Sequence, residues 1–307
     1  MTAQGFPVGT NPARIEFKDF ERLTCEPPQQ GSDRLYVGRN LSKGLYWVGS
    51  DGIMPGSTAS TDGELKRVRL ARSGYAYFDE PFRREWHGPA VIPLNAPILP
   101  EVNLSGGSGP LSVCLAENVL IENWTVGAWE GANALSIQSR RRIAVRGLQV
   151  GKSTLSGPGQ GYGLRLDRCT DFLLEDLTFT GCRHGVTPFA CSYGTVRNSR
   201  LVDCVGEDGG HYAVTHLRWE NCNSGGKEMA VGNRWPYGCE VEIVGHEGTN
   251  LIVYGNCKAK VKESKFTGYL RGYANEAGNE MEVETDWQSF GGRHRPENGA
   301  RFRLVVE

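Results

Sequence analysis

Apolar residues through the middle of the chain fall two apart, in short runs separated by polar turns. In LRLDRCTDFLLEDLTFTGC (164–182), Leu164 and Leu166 alternate with Arg165 and Asp167, Phe172 and Leu174 with Leu173 and Glu175, and Leu177 and Phe179 with Thr178. A period of two belongs to a strand with one buried face, whereas an amphipathic helix needs apolar residues at i, i+3, i+4 and i+7. The run therefore predicts three short strands joined by two turns. The same template fits upstream on Leu135, Ile137, Ile143, Val145, Leu148 and Val150, and again on Leu111, Val113, Val119, Ile121, Trp124 and Val126. Downstream it fits Val186, Val196 and Leu201, with Pro188 and Ser199 as weaker matches. A further copy holds Val214, Leu217 and Trp219, and a last one Leu251, Val253, Val261, Ser264 and Phe266. The spacing between copies varies because one loop per copy varies, as in a solenoid whose insertions collect on one side. The fold expected is all-β: a right-handed parallel β-helix.

Stacking the copies makes further expectations. Adjacent coils of such a helix lie about 4.8 Å apart. Glu122, Arg146, Glu175 and Arg197 then fall at equivalent outward positions and form a ladder of alternating charge. The tight-turn position that follows is filled by Asn123, Gly147, Asp176, Asn198 and His216. Asn, Asp and Gly suit a turn that needs left-handed backbone. Cys182, Cys204 and Cys222 come into one buried stack, and Cys169 and Cys191 into another.

The repeat covers 101–270. Residues 1–100 lack it and read as short strands between Gly-rich turns, for example LYVGRNLSKGLYWVGSDG and RVRLARSGYAYFDEPF. They are expected to be a cap over the first coil or an attachment region. Residues 271–307 are polar until RFRLVVE, which reads as a terminal strand or cap.

Composition narrows this picture without redirecting it. The chain of 307 residues has 41 glycines and a net charge of −1, so no whole-chain field drives binding to nucleic acid or to an anionic membrane. No apolar run approaches the length of a membrane span. The start, MTAQGFPVGTNPARIEF, lacks a basic segment leading into an apolar core, so no secretion signal is expected and synthesis in the cytoplasm is. Nine cysteines are scattered without a CxxC pair or zinc-type spacing, so no metal site and no cofactor are expected. Gly151-Lys152-Ser153-Thr154 lacks the upstream glycine of a phosphate-binding loop and opens no helix. Arg140-Arg141-Arg142 reads as a solvated charge run at a turn.

The run GYGLRLDRCTDFLLEDLTFTGCRHGV (161–186) and its relatives at 111–151 and 185–222 resemble the pectate-lyase-like right-handed parallel β-helix superfamily. They look most like the β-helices of bacteriophage tailspikes and other virion appendages. The resemblance covers about half the chain and rests on the repeat, not on a catalytic signature. It implies that the outer face of the first strands, with its bordering loops, forms a saccharide groove. Candidate substrate-binding residues there are Gln138, Arg165 and His184, with Trp235 and Tyr237 on the long loop 223–249, because aromatic rings stack on sugar faces. Candidate catalytic residues are Glu207, Asp208 and His211 in one Gly-rich turn, with Asp167 as a second carboxylate that completes a pair across coils. The leading reading is a phage tailspike or tail-fibre protein, assembled as a homotrimer on the virion, attached to other virion proteins through 1–100, and recognising a host surface glycan. Whether it also cleaves that glycan stays open. So do two alternatives: a free polysaccharide lyase or glycoside hydrolase, and a non-enzymatic structural spike.

Overall fold

The structure, a computed structural model, describes residues 21–53, 61–83, 89–94, 98–114, 116–155, 157–211, 214–232, 239–255, 257–273, 280–285, 289–292, 295–297 and 301–305. From Leu99 to Val305 every described strand pairs in parallel with its neighbours, coil on coil. Each complete coil gives one strand to each of three walls. The first wall includes the leading halves of Asn133–Arg146 and Tyr162–Glu175, then His184–Phe189, Glu207–Gly210, Met229–Val231, Leu251–Tyr254 and Leu270–Tyr273. The second wall runs from Leu99–Ser105 to Arg301–Val305. The third holds Thr125–Val126, Gln149–Val150, Thr178–Thr180, Arg200–Val202, Glu247–Gly248 and Lys265–Phe266.

The register expected for 111–202 is the register found. Leu111, Leu135, Leu164 and Val186 pair in sequence, as do Val113, Ile137, Leu166 and Pro188. Ile121, Val145, Leu174 and Val196 stack in the second wall, and Val150, Phe179 and Leu201 in the third. Nearly all of these are fully buried, each contributing about 1.5–3 kcal/mol by leaving water. The turn residues behave as their types require: Asn123, Gly147, Asp176 and Asn198 all have φ between 51° and 62°. Asn198 also donates its side-chain N–H to Asp176 Oδ1 at 3.0 Å, tying two turns together. Outside, Arg146 sits between Glu122 at 3.3 Å and Glu175 at 3.5 Å, and Arg197 pairs with the other face of Glu175.

The next coil is out of step with the sequence reading. Leu217 and Trp219 pair with Gly194 and Val196 in the second wall, not in the third. The tight turn there is Asn221 at φ 51°, while His216 stands at the start of the strand Thr215–Glu220. Cys222 shares the slip. It lies beside the register partner of Arg200 and so stacks at the position of Ser199, away from Cys182 and Cys204. The cause is the first strand of that coil, Glu207–Gly210, which reads EDGG and carries no apolar mark. The segment 223–249 is likewise not one loop, since it contains Met229–Val231, Glu240–Val244 and Glu247–Gly248. Beyond 270, Leu270–Tyr273, Glu280–Thr285, Arg295–Glu297 and Arg301–Val305 continue the walls.

Residues 22–93 build a separate six-stranded antiparallel sheet from Arg22–Cys25, Arg34–Tyr36, Gly44–Ile53, Thr61–Arg72, Tyr75–Phe78 and Ala90–Pro93. Its core holds Val48, Val68, Ala76, Phe78, Phe82 and Ile92. The sheet docks on the corner between the first and second walls through charge. Arg141 is buried and reaches Asp79 at 2.7 Å and Glu117; Arg67 also pairs with Glu117, and Arg83 meets Asp171 at 2.6 Å. Arg140 is buried as well, in register with the core residue Cys169, so two of the three arginines expected in solvent are enclosed.

Candidate functional site

The inward-pointing Leu135, Ile137, Leu164 and Leu166 force their neighbours onto the outer face of the first wall. Three rows of side chains result. One runs Ser136, Arg165, Thr187; the next runs Gln138, Asp167, Phe189, His211; the marginal row runs Asn133, Tyr162, His184. Four residues singled out in the sequence, Gln138, Arg165, Asp167 and His211, thus meet on one face, with His184 at its margin.

Asp167 forms the floor of this face, only 4% exposed. Arg165 approaches one of its oxygens at 3.5 Å and Arg168 the other at 3.1 Å. The Arg165 guanidinium also lies 4.9 Å from the ring centre of Phe189, and Phe189 lies 4.7 Å from the ring of His211. Gln138 donates to Ser136 Oγ at 3.1 Å. At the margin, Tyr162 and His184 stack at 5.5 Å, with Arg183 6.0 Å from the tyrosine ring. The His184 ring meets the Gly206 carbonyl at 3.3 Å through Nδ1, which therefore carries the proton. Arg168 stands 5.7 Å from the Trp47 ring, so the antiparallel sheet borders the face on its corner side.

The other candidates do not join this cluster. Glu207 pairs in register with Met229, an interior position, and its side chain is fully buried. It lies 3.8 Å from Nε2 of His246, which is itself buried and 3.4 Å from Ser224 Oγ. Burial pushes the His246 imidazole down to about 4. A carboxylate enclosed in the core does not reach a surface polymer, so Glu207 is corrected from a catalytic candidate to an interior one. The side chain of Asp208, and Trp235 and Tyr237 altogether, lie outside the described residues. Sequence reasoning passed over Phe189, Arg168, Trp47 and Tyr162. Phe189 alone carried a signal: the template places it outward beside Pro188, where an aromatic residue is not needed for the core. Among the described residues no group of three or more His, Cys, Asp or Glu side chains is placed to hold a metal ion.

The walls, the register and the coil-by-coil stacking define a tailspike-like parallel β-helix fold. No protein-family model matches the sequence, and no curated protein matches it. Solved structures do. The chain is similar to the tailspike gp49 of Pseudomonas phage LKA1, with a TM-score of 0.51 at 11% identity over 92% of this chain and 67% of that one. It is also similar to the gp54 tailspike of Acinetobacter baumannii bacteriophage AP22, solved with A. baumannii capsular saccharide, with a TM-score of 0.56 at 10% identity over 93% and 66%. The chain spans about two-thirds of the length of each.

Proposed function

We propose that this protein is a tailspike-like appendage of a phage particle that recognises a surface polysaccharide through the outer face of its first wall. The carrying observation is the cluster of Gln138, Arg165, Asp167, Thr187, Phe189 and His211 on that face, which pairs ring surfaces with hydrogen-bonding groups. Sugar recognition needs both, since rings pack on the C–H faces and polar groups take the hydroxyls. The saccharide bound by the AP22 tailspike supports the same ligand class for this fold. In this reading three copies assemble, and residues 1–100 attach to other virion proteins.

Binding is favoured over hydrolysis by one feature. A pair of carboxylates about 5–9.5 Å apart is the usual equipment for cleaving a glycosidic bond. Asp167 is the one carboxylate among the described side chains of the three rows, and two guanidinium groups occupy it. Its role is to position arginines. Purified protein incubated with a panel of capsular, lipopolysaccharide and exopolysaccharide glycans tests the reading. Retention of at least one glycan, measured by biolayer interferometry, is expected. Size-exclusion profiles of the same glycans report cleavage. No retention of any glycan by the assembled protein would refute the proposal.

A further inference from the structure

Among the described side chains of the candidate face the charges do not cancel. Asp167 lies between Arg165 and Arg168, so one negative charge serves two positive ones, and Arg183 adds a third at the margin. We infer that the face selects an acidic glycan and that Arg165, oriented by Asp167, receives a carboxylate of the bound sugar. The inference rests on the glycan reading above and adds the substrate class.

Three observations carry it. Arg165 Nε is buried and has no hydrogen-bond partner among the described residues. Thr187 Oγ1, on the adjacent coil and in register with Arg165, is buried and equally without one. The two residues stand on the same side of neighbouring strands, whose backbones lie about 4.8 Å apart, and a small shift of the Arg165 side chain on binding would bring both donors to an acceptor with two oxygens. A carboxylate does this with charge assistance. The planar guanidinium fork matches its two oxygens, which a lone hydroxyl does not offer. The third observation is how the guanidinium is held. Its plane lies over Phe189 at 4.9 Å while Asp167 holds one edge at 3.5 Å, so the group is oriented before a ligand arrives. A side chain left 26% exposed keeps one edge open to the groove. Arg168, at 11% exposure and over Trp47, balances Asp167 from behind. Asp167 thus cancels Arg168 and leaves the Arg165 charge for the ligand.

The experiment uses each glycan of the binding panel in two forms: native, and with its carboxylates reduced to primary alcohols by carbodiimide and borohydride. Biolayer interferometry against the assembled wild-type protein is expected to show retention of a carboxylated glycan. Reduction should weaken it at least about 10-fold, the effect of one charge-assisted pair. Arg165→Gln should lose the same factor on the native form and be indifferent to reduction. Arg165→Lys, which keeps the charge without the fork, should fall between. Melting temperatures of both variants check the fold, and the native-versus-reduced ratio on wild-type protein needs no variant at all. Equal binding of native and reduced forms, or retention confined to neutral or phosphorylated glycans, overturns the carboxylate inference and leaves the glycan reading standing. Retention of nothing overturns the glycan reading, and the inference falls with it.

Discussion

The coils at 133–202 and the coils at 206–248 share one geometry and have very different interiors. In the first set the interior rows are Leu135, Leu164 and Val186, then Ile143 and Phe172, then Leu148 and Leu177, all apolar and buried. In the second set the second-wall row stays apolar, through Leu217 and Val241, but Glu207 enters the first-wall interior opposite Gly185, Cys222 and His246 continue the row of Leu148 and Leu177, and Ser224 continues that of Phe179 and Leu201. Space is made for them by small neighbours. Ser224 and Gly248 stand in the row of Phe179, Leu201 and Phe266, and a Cβ at Gly248 would lie 2.7 Å from Ser224 Oγ. Yet the parallel register passes through both sets without a break in the second wall. A coil in the middle of a stack therefore takes its conformation from the coils on either side, and its own apolar pattern can lapse.

Four measurements break or sharpen that contrast. Leu174→Ala, in a regular coil, leaves a cavity and should cost about 2–5 kcal/mol in guanidinium unfolding, whereas Ser224→Ala in an irregular one should cost less than about 1 kcal/mol. Equal losses would mean the two interiors are equally packed. The second concerns acid. His246 is held down to about 4, while an unfolded histidine titrates near 6.5. Between those values the unfolded chain binds the extra proton, so stability should fall as pH drops from about 6.5 to about 4, by at most about 3 kcal/mol, and this slope should vanish in His246→Leu. A wild-type stability curve flat over that range contradicts it. Third, Asn198→Ala should cost about 1 kcal/mol because alanine strains at φ 54°, while Asn198→Gly and Asn221→Gly should be near neutral. A thermal shift that separates Asn198→Gly from Asn221→Gly would show that the turns of the two sets are not equivalent. Last, Arg146→Ala should cost only a few tenths of a kcal/mol, since the ladder is half in water. A loss above about 1 kcal/mol in denaturant titration would assign the ladder a structural weight that its exposure does not support.

The fold was legible where side-chain alternation was complete. Leu164 to Phe179 names its own strands, and the turn residues Asn123, Asp176 and Asn198 announce the left-handed positions that they occupy. Legibility ended at Glu207–Gly210, where EDGG gives no alternation and a bulge shifts the pairing between Asp208 and Gly210. With that anchor missing, Leu217, Trp219 and Cys222 were assigned one strand too late. The site was readable only as a face. Gln138, Arg165, Asp167 and His211 follow from the register. The pairing of Asp167 with two arginines does not, because Arg168 swings round a corner where its own φ is 56°. The burial of Glu207 also escaped the sequence, because nothing local says that a carboxylate turns into a core. Its partner His246 is almost forty positions away and meets it only through the winding of the chain.

Because every coil is hydrogen-bonded to the next along one axis, the walls behave as springs in parallel and the coils as springs in series. A pull along that axis loads the three walls of a coil together, but passes undiminished from coil to coil. The yield point is then a property of the weakest joint, not of the average one. In the first wall the strand Glu207–Gly210 is joined to the next coil by three residue pairs broken by a bulge, and to the preceding one only through isolated bridges at Gly206 and His211, against four or more pairs on either side of Thr215–Glu220 in the second wall. Under tension this rod would part near residue 208, a short distance along its axis from the face that holds Arg165.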